Sequence, residues 1–228
     1  MLIGGLQKTS LIDFPKRIAA IVFTHGCNFR CPYCHNPELV ISNHESLDDN
    51  FVFDFLETRK GKLKGVVVTG GEPCIQKDLP EFLGKIKSMG FDIKLDTNGS
   101  QYSMLEKIVS EKLVDYIAMD IKAPLDKYET IAGTNINLQN LEKSVNLIMS
   151  SGIDYEFRTT VTRELLNVDD FFGIGELITG AKQYYLQKFV PNKVLDETFK
   201  SASTFNDEEF QECIHILKSY DIKKVTVR

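Results

Sequence analysis

Short apolar runs alternate along this chain with segments whose apolar positions recur every three or four residues. Residues 18–23, Ile18-Ala19-Ala20-Ile21-Val22-Phe23, are continuous and partly β-branched, the pattern of a strand covered on both faces. Residues 47–58 set Leu47, Phe51 and Phe55 at helical spacing, with Phe53 and Leu56 beside them. The same couple then returns. Strands are predicted over 66–68, 91–95, 116–121, 155–161 and 184–190, and helices over 79–89, 104–111, 138–149 and 171–178. Gly90 and Gly152 are the helix stops, and Pro191 breaks the last of these strands. A final amphipathic helix over 207–219 and a short strand over 225–227 complete the chain. Residues 1–17 show neither period and read as a mixed lead-in ending at Asp13-Phe14-Pro15.

Strand–helix alternation repeated about six times, with buried strands, predicts right-handed crossovers and a parallel sheet. No linker-like or low-complexity stretch interrupts it. The expectation is one α/β domain over 1–228, with its core at about 16–195 and a C-terminal helix and strand in 205–228.

Composition narrows the class without naming a function. The chain has 228 residues, 43% hydrophobic and 26% charged, as an ordinary globular protein does. A net charge of -5 argues against a nucleic-acid partner, because phosphate contacts want a basic surface. No apolar run is long enough for a bilayer, and the first fifteen residues lack the basic and apolar regions of a secretory signal. Five cysteines, an odd number with three bunched together, suit a reducing cytoplasm better than a disulfide scaffold.

The chemistry sits where strands end. Cys27, Cys31 and Cys34 follow the first strand, Gly70-Gly71-Glu72-Pro73 the second and Asp96-Thr97-Asn98-Gly99 the third. Asp120-Ile121-Lys122 closes the fourth, Arg158 lies in the fifth and Gln187 in the sixth. In parallel barrels the loops after the strands build the active site, so these groups are expected at one mouth. Thiolates are the ligands that iron–sulfur clusters and zinc select. Three of them leave a four-iron cube one protein ligand short. A zinc site would need His35, His25 or Cys74 as its fourth ligand, and no second Cys-x-x-Cys pair is present. Glu72 offers a carboxylate to a ligand ammonium. Asp96 and Asp120 could hold a cation, with Lys122 facing a ligand carboxylate. Arg158 is a charge that a buried strand keeps only when paired. Cys213 reads as a small buried hydrophobe, and His44 and His215 carry no legible signal.

Cys27-x3-Cys31-x2-Cys34, with Tyr33 before the last cysteine, resembles the signature of the radical S-adenosylmethionine (SAM) superfamily. Gly70-Gly71-Glu72-Pro73 is similar to its methionine-ammonium motif, and the six strand–helix units to its partial TIM-like (β/α)6 barrel. The lead-in Gln7 to Pro15, the run Gly26 to Leu39, and Gln187 to Pro191 with Val194-Leu195-Asp196 resemble the activating proteins of anaerobic (class III) ribonucleoside-triphosphate reductase.

The resemblance implies a [4Fe–4S] cluster on Cys27, Cys31 and Cys34, with SAM on the open iron. It implies cofactor contacts from Tyr33, Gly70, Gly71, Glu72, Asn98, Asp120, Lys122, Arg158 and Gln187. Asp96, Thr97 and Asp120 would form a monovalent-cation site. The reaction implied is hydrogen abstraction from a glycine of a glycyl-radical enzyme, anaerobic ribonucleotide reductase. An electron donor such as flavodoxin or ferredoxin would serve it, with no membrane or nucleic-acid partner. A radical SAM enzyme acting on a small molecule or peptide, as in deazapurine synthesis, and a non-catalytic iron–sulfur or zinc protein remain alternatives.

Overall fold

The computed structural model describes residues 1–40 and 45–228. His44 and part of the polar stretch 42–46 lie outside the described residues. The strands are β1 (Ile3–Ser10), β2 (Ala19–Thr24), β3 (Gly65–Gly70), β4 (Asp92–Thr97), β5 (Tyr116–Asp120), β6 (Asp154–Val161), β7 (Tyr184–Lys188) and β8 (Val225–Val227). They form one sheet in chain order. From β2 onward every neighbouring pair is parallel, while β1 runs antiparallel to β2.

The helices are α1 (Pro37–Val40), α2 (Asp49–Glu57), α3 (Leu79–Ser88), α4 (Tyr102–Ser110), α5 (Tyr128–Ala132), α6 (Leu138–Ser150), α7 (Asp170–Leu177) and α8 (Asp207–Lys218). Their starts are chemically marked. Asp48 and Asn137 accept backbone N–H bonds at the starts of α2 and α6, and Asn206 with Glu209 forms a reciprocal cap on α8.

One departure from the sequence pattern stands out. The lead-in is a strand: β1 pairs with β2 across Leu6↔Val22 and Gln7↔Ile21. It lies at the sheet edge, with only its end residues Ile3 and Ser10 buried, so no alternation marks it. The 225–227 segment joins β7 in parallel and becomes the eighth strand of the sheet.

The sheet has two differently filled faces, as the two-residue period of a strand requires. Ala20, Val22, Val66 and Val68 join the large apolar core that the helices cover. Ala19, Ile21 and Val67 point the other way, into a small cluster with Phe14, Tyr116 and Phe23. Farther along that inner face the strands turn polar. Glu156 accepts from Tyr116 at 3.0 Å and from Arg228 at 2.9 Å, and beyond it come Asp96, Asp120 and Arg158. The apolar face fixes the fold; the polar one carries the site.

Candidate cofactor site

The cysteine loop leaves β2 at Thr24 and is anchored by its own backbone. Gly26 N donates to Leu39 O at 2.7 Å, Cys34 N to Cys31 O at 3.0 Å, and Arg30 N to Ala132 O at 2.7 Å. Phe29 is buried edge-on against Tyr128, with ring centroids 6.4 Å apart. These contacts leave Cys27, Cys31 and Cys34 as free thiols on the wall of one cleft. Phe29 N donates to Cys27 Sγ at 3.3 Å. Burial pushes all three thiols up, with the Glu72 carboxylate adding to the rise at Cys27, which reaches about 12. Lys122 pulls each the other way. Ligation to a metal centre takes the thiolate form, so a bound cluster would release these protons to solvent.

The cleft encloses about 450 Å³, and every predicted site residue lines it: the three cysteines, Tyr33, Gly70-Gly71-Glu72, Asp96-Thr97-Asn98, Asp120, Lys122, Arg158 and Gln187. The expectation of one shared mouth holds. Sequence reasoning passed over Asn36, Thr69, Thr160, and Gln7 and Asp13 of the lead-in, which also line it. The two-residue period of β3 and β6 could have found Thr69, two after Val67, and Thr160, two after Arg158.

Gly70 and Gly71 are required as glycines by close packing of backbone on backbone. Gly70 has φ +123°, and a Cβ there would lie 2.2 Å from Thr24 N. A Cβ on Gly71 would lie 1.9 Å from Gly26 O. The two loops touch backbone to backbone, with Gly71 N donating to Thr24 O at 2.9 Å and Glu72 N to Gly26 O at 2.8 Å. The small residues seat the Gly-Gly-Glu loop against the cysteine loop.

Glu72 is 1% exposed and its carboxylate is engaged by the protein. Oε1 accepts from Thr97 Oγ1 at 2.7 Å and Cys74 N at 3.0 Å, and Oε2 from Asn98 N at 2.6 Å. Burial raises its pKa from the ordinary value, against the lowering by these three donors. Glu72, expected to meet a ligand ammonium, also joins the ends of β3 and β4 through these bonds.

The charged residues form a chain across three strands. Lys94 binds Asp96 Oδ1, and Arg158 Nη1 holds Asp96 Oδ2 at 3.1 Å. Arg158 Nε holds Asp120 Oδ1 at 2.8 Å, and Lys122 Nζ holds Asp120 Oδ2 at 3.0 Å. Burial alone would raise the two acids, but Arg158 with Lys94 or Lys122 overcomes it and holds both well below the carboxylate range. Each of their four carboxylate oxygens has a protein cation as a partner. Thr97, expected with them in a monovalent-cation site, donates its hydroxyl to Glu72.

Two observations test the fit to a cluster and its ligand. Among the described residues, no three His, Cys, Asp or Glu side chains gather tightly enough to hold a single metal ion. Three free thiols lining one cleft are the donor type that iron–sulfur clusters take. Beside them the buried Tyr33 hydroxyl has no hydrogen-bond partner among the described residues, and its ring packs edge-on to Phe189 at 6.5 Å. An unpaired phenol at the cleft wall is a donor for something in the cleft. The donor set fits.

Three comparisons agree with this arrangement. The profile of the radical SAM superfamily matches residues 21–169. A provisionally assigned glycyl-radical enzyme activating enzyme of Methanocaldococcus jannaschii is 32% identical, over 100% of this chain and 95% of its own length. The pyruvate formate-lyase-activating enzyme of Clostridium pasteurianum is 34% identical over 58% of this chain and 57% of its own. Among solved structures, a domain of the pyruvate-formate lyase-activating enzyme of Bacteroides vulgatus superposes with a TM-score of 0.57. That match has 18% identity and covers 72% of this chain and 98% of that one, a likeness of fold.

Proposed function

The chain belongs to the radical SAM superfamily, and from that premise we propose that it is a glycyl-radical enzyme activating enzyme whose substrate is a backbone glycine of a partner protein. The observation that carries the reading is the single cleft shared by three free thiols and the polar ends of the parallel strands. The names of the two relatives support the activase class. The partner we favour is anaerobic ribonucleotide reductase, on the resemblance of residues 7–15, 26–39 and 187–196 to its activating proteins.

Bound together, a [4Fe–4S] cluster and SAM supply one-electron reductive cleavage and, through it, hydrogen abstraction. Cys27, Cys31 and Cys34 would hold the cluster. This chain's other residues do positioning and exclusion. Lys122 presents an ammonium close to the ring of Tyr33, 5.9 Å from its centroid, and is kept charged by Asp120 despite its burial. That charge suits a ligand carboxylate. The Gly70-Gly71 backbone, pressed against the cysteine loop, sets the floor on which a ligand ammonium would rest. Tyr33 and Phe29 are buried and line the cleft beside the thiols, giving that wall an apolar surface. No side chain need accept a proton, which is consistent with a cleft whose acids are all paired.

The test is anaerobic. Reconstituted protein with a reductant should convert SAM to 5′-deoxyadenosine, and with the partner reductase should give a glycyl doublet by electron paramagnetic resonance. Cleavage with no doublet on any glycyl-radical enzyme would move the substrate to a small molecule or peptide. A colourless, zinc-loaded protein would end the cluster reading.

A further inference from the structure

Immediately after Cys27, three side chains close a ring. Asn28 Nδ2 donates to Ser100 Oγ at 2.8 Å, Ser100 Oγ donates to Asn98 Oδ1 at 2.7 Å, and Asn98 Nδ2 donates to Asn28 Oδ1 at 3.0 Å. All three bonds run in one direction round the ring, so each group that accepts also donates and each polarises the next. Asn98 and Ser100 are buried, and Asn28 reaches them from the cysteine loop.

The ring is tied at both sides. On the β4 side, Ser100 N donates to Asn98 Oδ1 at 3.0 Å, Asn98 N to Glu72 Oε2 at 2.6 Å, and Ser144 Oγ of α6 to Gly99 O at 2.7 Å. On the cysteine side, Asn28 lies between Cys27 and Phe29, whose N–H donates to Cys27 Sγ at 3.3 Å. Asn98, expected among the cofactor contacts, bonds through its amide to Asn28, which no motif singled out.

We propose that Asn28 is a positioning residue: by closing this ring with Asn98 and Ser100 it fixes the loop that presents Cys27 in register with the loop that lines the ligand cleft. A cluster on the cysteines and the wall of the cleft lined by Asp96, Thr97 and Asn98 lie on different loops, so the separation of a cluster from a ligand in the cleft depends on what joins the loops. The Gly71 and Glu72 backbone contacts join them on one flank of Cys27 and the side-chain ring on the other. Without the ring the cysteine loop keeps its hydrogen bonds to Leu39 and Ala132. It therefore still binds a cluster, but in a looser register to the ligand wall. The inference rests on the cluster-and-SAM reading of the cleft.

The experiment titrates SAM into the reduced, reconstituted protein and follows the change it produces in the cluster's paramagnetic resonance spectrum. Wild type is measured first; no ligand-induced change there would be a failure of the proposed function, not of the ring. In Asn28→Ala, iron content and melting temperature should stay near wild type while the SAM concentration at half-change rises about tenfold. Asn28→Asp keeps the size and the acceptor for Asn98 but cannot donate to Ser100, and should fall between the two. Ser100→Ala opens the ring without touching the cysteine loop and should raise the half-change about threefold. A wild-type titration in Asn28→Ala overturns the proposal. Should Asn28→Ala fail to hold iron, Ser100→Ala decides, and a wild-type titration there overturns it equally.

Discussion

Arg158 donates through Nε to Asp120 Oδ1 over 2.8 Å, joining β6 to β5 on the inner face of the sheet. Its Nη1 continues to Asp96 on β4, so one guanidinium spans three strands. A buried ion pair of this kind contributes little net stability while intact, because desolvation offsets attraction. Breaking it is another matter.

Asp120→Asn should destabilise the protein by roughly 3 kcal/mol at neutral pH, since it strips a carboxylate from two buried cations. The pH dependence follows from the sign of the shift. Asp96 and Asp120 titrate lower in the fold than in the unfolded chain, so their contribution is full above about pH 4 and is lost on acidification toward the depressed values. Urea midpoints at a series of pH values should show the gap between wild type and Asp120→Asn closing as pH falls. A gap that persists unchanged into strong acid would contradict the pairing.

Gly71→Ala places a methyl group where Gly26 O already sits, 1.9 Å away. Neither side can yield without moving a backbone, so the expected cost is about 3 kcal/mol or more. The cysteine loop should be what moves, and iron incorporation should fall with the melting temperature. Normal iron loading in a soluble Gly71→Ala protein would show that the loops do not depend on this contact.

Glu72→Gln keeps the shape of the side chain but replaces one accepting oxygen with a donor. One of Thr97 Oγ1, Cys74 N and Asn98 N must then lose its partner in a buried place. The expected loss is about 2 kcal/mol, read from denaturant unfolding. An unchanged midpoint would mean the carboxylate does not join β3 to β4 as described.

Cys31→Ala and Cys213→Ala separate ligand from packing. The first should abolish the brown colour and bound iron of anaerobically prepared protein. The second lies fully buried on α8, is not among the residues lining the cleft, and should retain iron while losing about 1 kcal/mol of stability. Equal iron in both would remove the cysteine loop from the metal chemistry.

Much of this was visible along the chain. The strand and helix alternation survived folding with shifts of a few residues, because apolar period reflects which face is covered. The groups at the strand ends met in one cleft for the same reason: parallel strands put all their C-terminal ends on one side. The lead-in strand escaped notice because an edge strand with two glycines and exposed Gln7, Lys8 and Thr9 has no covered face to mark it. Asn28 escaped because an asparagine in a loop has no pattern; its partners lie about seventy residues away in sequence.

The sequence alone determined the kind of sheet and the three-thiol loop, since period and spacing are local properties of a chain. Which charged and polar groups satisfy one another was decided only in three dimensions. Glu72 joins β3 to β4 through Thr97 and Asn98, and Asp96 and Asp120 are bonded by Lys94, Arg158 and Lys122. A buried polar group must be paired with whatever strand register and loop contact bring within reach. Register is set by the apolar face, on the other side of the sheet from the chemistry it arranges.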